Sequence, residues 1–244
     1  PRDKLVAREM ATRLGQPLSQ LYVDKHFSAQ AKKAAEDLVL RVRMQFRQRL
    51  LANRWLTPET RRYALEKLDK VSIKVGYPDA WIDHSAVDIR RDDYLGNALR
   101  INEFRARRDL ARLGQPVVQD LFADPGATLP IVINAAYEPS RNGIEIPAAF
   151  MQPPIYDPKA DAAVNFCALG AVIGHEITHG FDSQGRLYDA EGNVRDWWAP
   201  QDVKRFNAQA DKLVAQANAF QVLPGLHANG ALAVGENLAD LGGV

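Results

Sequence analysis

Val172-Ile173-Gly174-His175-Glu176-Ile177-Thr178-His179-Gly180-Phe181-Asp182 is the stretch around which this 244-residue chain is organised. It places His-Glu-x-x-His in a segment of helical character, where histidines four positions apart lie one above the other on one face. Two imidazole nitrogens can then converge on one metal ion. Glu176 lies about 100° further around the helix than His175, so its carboxylate stands beside such an ion. The pattern predicts a zinc site with Glu176 as general base towards a bound water.

The alternative is a chance pair of histidines on a solvated helix face. The chain has only five histidines, and apolar residues surround the motif, so a solvated face explains it poorly. The composition, 46% hydrophobic and 25% charged, is that of an ordinary soluble globular protein. No run of about 18 apolar residues occurs, which predicts no membrane span. The single cysteine, Cys167, excludes an internal disulfide and is expected to be a small buried side chain on the helix before the motif.

Charge divides the chain into two unlike parts. Residues 1–112 carry 24 lysines and arginines against 15 acidic residues, whereas residues 113–244 carry 7 against 15. The basic part raises a nucleic-acid-binding hypothesis, but its arginines lack aromatic or amide partners at base-reading positions. We therefore favour two oppositely charged lobes of one protein.

Hydrophobic periodicity and capping residues predict a mainly helical chain. In residues 1–112 the expected helices cover 3–14, 18–27, a long segment with Ser28 as N-cap, 58–70 with Thr57 as N-cap, and 92–113, with a strand at 71–75. In residues 113–244 the expected strands are 129–137 and 144–147, and the expected helices are 161–181, 201–220 and 231–241. The fold class is thus mainly α, of the α+β type, with a small sheet before the motif helix.

Two histidines leave room for a third protein ligand beside an open position for water. The metzincin continuation is excluded, because Asp182 and Gly185 stand where that class needs Gly and His. His227 lies in a glycine-flanked loop and is interpreted as structural. Glu236 and Asp240 are four apart on a predicted helix, so one carboxylate can bind the metal while the other orients a ligating imidazole. An acidic surface pair is the alternative.

Several motifs in order along the chain together resemble the neprilysin family of zinc metallopeptidases, which are gluzincins. They are Gly76-Tyr77-Pro78-Asp79, Asn134-Ala135-Ala136-Tyr137, Gln152-Pro153-Pro154, His175-Glu176-Ile177-Thr178-His179-Gly180-Phe181-Asp182, Asp196-Trp197-Trp198 and Gly235-Glu236-Asn237-Leu238-Ala239-Asp240. The resemblance implies a thermolysin-like zinc-peptidase core at 113–244. It makes residues 1–112 a helical segment belonging to the lid lobe and its connecting helices.

The resemblance also implies roles for individual residues. One zinc ion would be held by His175, His179 and Glu236. The catalytic pair would be Glu176, as general base and proton shuttle, and Asp240, which would orient His175. Substrate-binding positions would be Asn134 and Ala135, which clasp the peptide backbone, and Phe150, Ile155 and Val172, which line the pocket for the residue after the cut; core packing is the alternative for these last three.

The implied activity is that of a zinc endopeptidase cutting internal bonds of oligopeptides, with peptides as partners and no nucleic acid. The family carries an oxyanion-stabilising histidine and a substrate-contacting arginine beyond the region of Glu236 and Asp240, and the sequence stops at Val244 before either. We therefore expect a fragment lacking both ends, truncated at its catalytic C-terminal side, with the remaining part of its parent chain as a second candidate partner. One cysteine favours a bacterial-type member, periplasmic or secreted, with the cytoplasm as alternative.

Three other interpretations stay open at this point. A zinc aminopeptidase shares the motif but would carry a Gly-x-Met-Glu-Asn-like stretch, which is not found. An inactive zinc-stabilised binding module would need only the ligands. A basic helical nucleic-acid binder would rest on residues 1–112 alone.

Overall fold

A computed structural model describes residues 1–116, 121–123 and 128–244 and shows a mainly helical fold with small sheets, as the sequence predicts. The described helices are α1 (Arg2–Arg13), α2 (Gly15–His26), α3 (Ala29–Ala52), α4 (Pro58–Lys70), α5 (Tyr94–Ala111), α6 (Ala162–Asn165), α7 (Ala171–His179), α8 (Pro200–Asn218) and α9 (Gly230–Gly243). The strands are β1 (Ser72–Gly76), β2 (Ala136–Glu138), β3 (Gly143–Pro147), β4 (Gln221–Leu223) and β5 (Leu226–His227). None of these helices combines the length and the apolar character needed to cross a bilayer.

Capping side chains set the helix starts in the first part of the chain. The Ser28 hydroxyl accepts a hydrogen bond from the Ala31 amide at 3.1 Å, and α3 follows it. The Thr57 hydroxyl likewise caps α4, which has Pro58 in its first turn. Both predicted caps are confirmed. The predicted break between the first two helices is present but shorter: it lies at Leu14, and α2 already begins at Gly15, because Pro17 falls in the first turn of α2, where a missing amide hydrogen costs nothing.

A three-stranded sheet lies beside the motif helix in the order β1-β3-β2. β1 runs parallel to β3, and β2 runs antiparallel to it, with Tyr137 opposite Ile144. The strand predicted at 129–137 is largely wrong: residues 130–133 form turns and bends, and pairing begins only at Ala136. The Val132 amide bonds back to the Leu129 carbonyl at 2.9 Å, so local turn formation prevails over β-propensity there.

The helix that carries the motif is interrupted by a π-helical turn at Phe166–Gly170, between α6 and α7. Such turns insert a residue into a helix and often occur near functional sites. Cys167 lies in this turn and is exposed, so the expectation of a buried cysteine is wrong. The added residue changes which positions face the core. This change cannot be predicted from the 3.6-residue hydrophobic period of the sequence.

The hydrophobic core includes side chains from both sides of residue 112. Ala35, Leu68 and Val75 are at most 3% exposed and belong to the same cluster as Ile173 and Ile177 of α7. The rings of Phe46 and Phe181 are stacked with centroids 5.6 Å apart. A division at 112 stays a prediction, while the core places α3 directly behind the motif helix and α4 against α3.

Candidate metal centre and active site

Glycines allow the backbones of α7 and α9 to pack in direct contact. A Cβ added to Gly174 would lie 2.9 Å from the Gly243 Cα and 3.1 Å from the Gly242 carbonyl oxygen. A Cβ on Gly242 would collide with the Thr178 side chain. The two helices therefore pack with no side chain between them at this point, and α9 can present its acidic residues to the histidines of α7.

Three side-chain atoms of these helices converge. The Nε2 atoms of His175 and His179 are 3.0 Å apart, and the Glu236 Oε2 lies 3.3 Å from the first and 3.6 Å from the second. One donor atom from each of the three residues falls within a single 4.8 Å group. His175 and His179 are half-buried, whereas Glu236 is exposed, so the site opens to solvent on the α9 side.

The opposite nitrogen of each imidazole points to a carboxylate. His175 Nδ1 lies 2.8 Å from Asp240 Oδ1, and His179 Nδ1 lies 2.7 Å from Asp182 Oδ2. A carboxylate accepts a hydrogen bond, so these contacts favour a proton on each Nδ1; in the neutral imidazole each Nε2 then presents its lone pair. Two lone pairs facing each other beside a third anionic oxygen repel unless a cation joins them. Two imidazole nitrogens and a carboxylate oxygen with an open side are the donor set of a catalytic zinc ion, so the residues fit that metal.

Asp182 was quoted in the motif but given no role at the sequence level. Its side chain is buried, and its Oδ1 accepts hydrogen bonds from the Gln184 and Gly185 amides, each 2.8 Å away. Burial alone would raise the pKa of Asp182, but the hydrogen bonds from His179, Gly185 and Gln184 hold it below its usual range. The ionised carboxylate in turn raises the pKa of His179. The sequence signal for this role was the position of Asp182 three residues after His179.

Glu176 occupies the position beside the converging atoms that the helix geometry predicts. The residue is 6% exposed. Burial raises the pKa of its carboxyl, which the nearby His179 and His175 rings and a hydrogen bond from the Tyr137 amide partly offset. A carboxyl whose pKa lies above its ordinary value is suited to taking up and returning a proton near neutral pH.

A cavity of about 560 Å³ opens next to these groups. Its walls come from the segment before β2, from α7, from the turn after it and from α9; they include Asn134, Ala135, Ala136, Tyr137, His175, Glu176, His179, Asp182 and Glu236. β2 is an edge strand of its sheet. The structure thus brings Asn134 and Ala135 to the same cavity as the histidines.

Phe150, Ile155 and Val172 lie elsewhere. All three are half-buried and pack against the hydrophobic core, and none is among the residues that line this cavity. That placement suits core packing, which the sequence left as their alternative. A role for them in a substrate pocket stays a prediction.

Comparisons with known proteins agree on one family for both matched parts of the chain. Residues 1–78 and 134–244 both match peptidase family M13. The chain is 36% identical over 238 residues to an endothelin-converting enzyme homolog of Locusta migratoria, covering 95% of this chain and 32% of that protein. It is 35% identical over 253 residues to neprilysin-1 of Caenorhabditis elegans, covering 100% of this chain and 33% of the relative.

Among solved structures, the inhibitor complex of the zinc metalloprotease Zmp1 of Mycobacterium tuberculosis superposes with a TM-score of 0.84. The two sequences are 42% identical, and the match covers 96% of this chain and 36% of that one. The chain therefore spans about a third of the length of the proteins it matches.

Proposed function

This chain belongs to peptidase family M13, and on that premise we propose that it carries the metal-binding and proton-transferring part of a zinc-dependent endopeptidase acting on oligopeptides. The observation that carries the proposal is the convergence of His175 Nε2, His179 Nε2 and Glu236 Oε2 beside the buried carboxyl of Glu176. A binding module would need the three ligands alone. The additional buried acid next to them supports hydrolysis.

In this proposal His175, His179 and Glu236 hold one zinc ion. Zinc, when bound, lowers the pKa of a coordinated water towards about 7 and polarises a carbonyl oxygen. Asp240 and Asp182 keep the two imidazoles in the tautomer that points Nε2 inwards. Each does so through a hydrogen bond to Nδ1, at 2.8 Å and 2.7 Å respectively.

Glu176 moves the proton. Its carboxylate accepts a proton from the water that attacks the scissile carbonyl and then delivers it to the departing amine, so one residue serves as base and as acid. Burial raises the pKa of Glu176, and this makes the proton easier to take up while the histidine rings keep it labile. The amide of Tyr137 holds the carboxyl in place from the strand side.

The substrate is an extended peptide. An edge strand offers unpaired main-chain groups to which a peptide can add as a further strand, and β2 lies at the edge of its sheet. Asn134 is exposed and lies just before β2, where its side chain can bind the peptide backbone together with the Ala135 carbonyl. The cavity is within the usual size range of small-ligand pockets, about 300–1,000 Å³, which suits a few peptide residues.

Three finer assignments belong to the same proposal. Residues 1–112 contribute to the lid lobe and connecting helices, and residues 113–244 carry the metal centre. The protein acts in the periplasm or as a secreted enzyme. Peptides are its partners, and the nucleic-acid alternative is not favoured, because the basic part of the chain also matches peptidase family M13.

The experiment compares the wild-type chain with Glu176→Gln and with Glu103→Gln, an exposed glutamate of α5 paired with Arg107, as the matched control. Zinc content and zinc dissociation constant are measured first, then cleavage of a mixed set of quenched fluorescent peptides. We expect Glu176→Gln to keep a zinc dissociation constant within about threefold of wild type and to lose cleavage by at least about 10²-fold. Glu103→Gln should match the wild type.

Cleavage that persists in Glu176→Gln would remove Glu176 as the base. If the wild-type chain binds zinc without cleaving peptides, the same assay on the full-length parent protein decides: cleavage by the parent would support an incomplete fragment of the peptidase, and no cleavage would support the zinc-stabilised binding module. No zinc binding would refute the metal centre itself.

A further inference from the structure

Lys67 is a lysine in the interior, behind the candidate metal centre. The residue is 1% exposed, although lysine is almost never fully buried without partners. Its Nζ donates hydrogen bonds to the Gly185 carbonyl at 2.7 Å and to the Tyr188 carbonyl at 2.8 Å. The rings of Tyr137, Phe181 and Trp197 surround it, with centroids 5.7–5.9 Å from Nζ. These contacts offset part of the desolvation of the buried charge.

The two carbonyls belong to residues 182–188, the segment that leaves the metal-binding helix. Gly185 is held on both sides: its carbonyl by Lys67, and its amide by Asp182 Oδ1 at 2.8 Å. The other oxygen of Asp182 accepts the hydrogen bond from His179 Nδ1. A Cβ on Gly185 would collide with the His179 backbone carbonyl, so the segment lies directly against the ligand. An uninterrupted path of contacts thus joins Lys67 to the imidazole of His179.

A second path starts from the backbone of the same lysine. The buried Asn142, in the left-handed conformation at φ 44°, donates through Nδ2 to the Lys67 carbonyl at 3.0 Å and to the Ala190 carbonyl at 3.1 Å. Its Oδ1 accepts from the Tyr137 hydroxyl at 2.9 Å. Tyr137 is the residue whose amide contacts Glu176. Lys67 therefore lies at the junction behind both the ligand and the base.

The charge of Lys67 matches its surroundings. Burial lowers its pKa to about 8, against the attraction of Asp182 and Asp189, which raises it. At neutral pH most molecules thus carry the ammonium, which balances the buried Asp182 carboxylate. Removing the charge takes the nearby cation from that carboxylate and leaves the Gly185 and Tyr188 carbonyls with one donor each, the Tyr188 amide and the Trp197 indole N–H.

We propose that Lys67 is a positioning residue of the metal centre, which fixes residues 182–188 so that Asp182 holds His179 with Nε2 directed at the ion. The inference rests on the proposed metal centre and adds a residue from the helical N-terminal part of the chain to it. Partners that orient a metal-ligating histidine contribute about 10–100-fold to metal affinity. Loss of Lys67 should weaken zinc binding within that range.

The test uses Lys67→Met, which keeps the length of the side chain without its charge, in the complete 244-residue chain. The control is Lys70→Met on the same helix, where the lysine is exposed and bonds to the carboxylates of Glu66 and Glu191. Zinc dissociation constants are measured by competition with a chromophoric chelator, at a temperature where circular dichroism shows every metal-free variant folded. The visible spectrum of the cobalt-substituted form reports the ligand geometry.

We expect Lys67→Met to raise the zinc dissociation constant about 10–100-fold and to change the cobalt spectrum, and Lys70→Met to stay within about twofold of wild type. In a double-mutant cycle with Asp182→Asn the two losses should be less than additive, because both act on His179. A folded Lys67→Met with wild-type affinity and spectrum overturns the proposal. Full additivity overturns the path through Asp182.

If Lys67→Met does not fold, Lys67→Gln is measured in its place, since a shorter amide can still donate to one carbonyl. Its zinc affinity should fall between those of wild type and an Asp182→Asn variant; wild-type affinity would contradict the role. Failure of both variants to fold would make Lys67 a structural residue only. A wild type that binds no zinc would refute the proposed function, which is a different result from wild-type binding in the variants.

Discussion

Gly174→Ala tests whether the glycine contact between α7 and α9 builds the metal centre. The new methyl would lie 2.9 Å from the Gly243 Cα and 3.1 Å from the Gly242 carbonyl oxygen, both backbone atoms that cannot rotate away. Ordinary contact begins at 3.4 Å, so the end of α9 must retreat by about 0.5–1 Å. The 2.8 Å hydrogen bond from His175 to Asp240, three residues before Gly243, would then lengthen beyond hydrogen-bonding distance.

Two opposing effects act on stability in this variant. Alanine in place of glycine inside a helix contributes about 1 kcal/mol in favour of folding. Overpacking costs about 1–3 kcal/mol, so the free energy of unfolding should fall by at most about 2 kcal/mol. Zinc affinity has no compensating gain, and losing the carboxylate that orients a ligand weakens it about 10–100-fold.

The assay pairs urea unfolding of the metal-free chain with zinc competition titration. Gly170→Ala, in the π-helical turn that precedes α7, is the matched control, because its methyl would meet nothing closer than 3.4 Å, at the Phe166 ring. It should keep wild-type zinc affinity. The reasoning is refuted if Gly174→Ala binds zinc as tightly as wild type and is more stable. The close approach of α7 and α9 would then not be what positions Asp240 against His175.

Four further predictions follow from the same geometry. Asp182→Asn should weaken zinc binding about 10–100-fold in competition titration, and an unchanged constant would exclude its role in orienting His179. Asn134→Ala should lower kcat/KM for peptides about tenfold with zinc affinity unchanged, because a hydrogen bond to the substrate is lost; steady-state kinetics decide this. Burial lowers the pKa of Lys67 from 10.5 to about 8, so between these pH values the unfolded chain binds more protons than the folded chain. The free energy of unfolding of wild type, relative to that of Lys67→Met, should therefore rise with pH. The expected slope is about 1.4 kcal/mol per pH unit from pH 8 to 10. Urea unfolding at pH 7.5 and 9.5 measures this, and a flat difference would contradict it. Removing zinc held at about 1,000 times its dissociation constant should cost about 4 kcal/mol and lower Tm by roughly 10 °C in calorimetry, whereas an unchanged Tm would exclude a bound metal.

Local signals in the sequence predict much of this fold. Ser28 and Thr57 begin the helices that their capping chemistry requires, and His-Glu-x-x-His gives the face on which the ligands lie. Glu236 and Asp240 are predictable as a pair, because four residues on a helix share a face. These features depend on spacing within one element, which the sequence shows directly.

Features that depend on tertiary contacts were not predicted. Lys67 contacts Gly185 across 118 positions, and a lysine in an amphipathic helix ordinarily faces solvent. The strand expected at 129–137 is mostly turn, and the π-helical turn exposes Cys167. A distant contact decides the burial of the lysine, whereas a local turn replaces the strand and an inserted helical residue accompanies the exposed cysteine; periodicity and propensity describe none of the three.

The zinc-edge X-ray absorption spectrum of the zinc-loaded chain tests the central claim most directly, because it counts the donor atoms around the ion. The account predicts a four- or five-coordinate ion with two imidazole nitrogens and carboxylate or water oxygens at about 2.0–2.2 Å, and the loss of one imidazole in His179→Ala. A shell of water oxygens alone, a sulfur neighbour, or a spectrum unchanged in His179→Ala would contradict it.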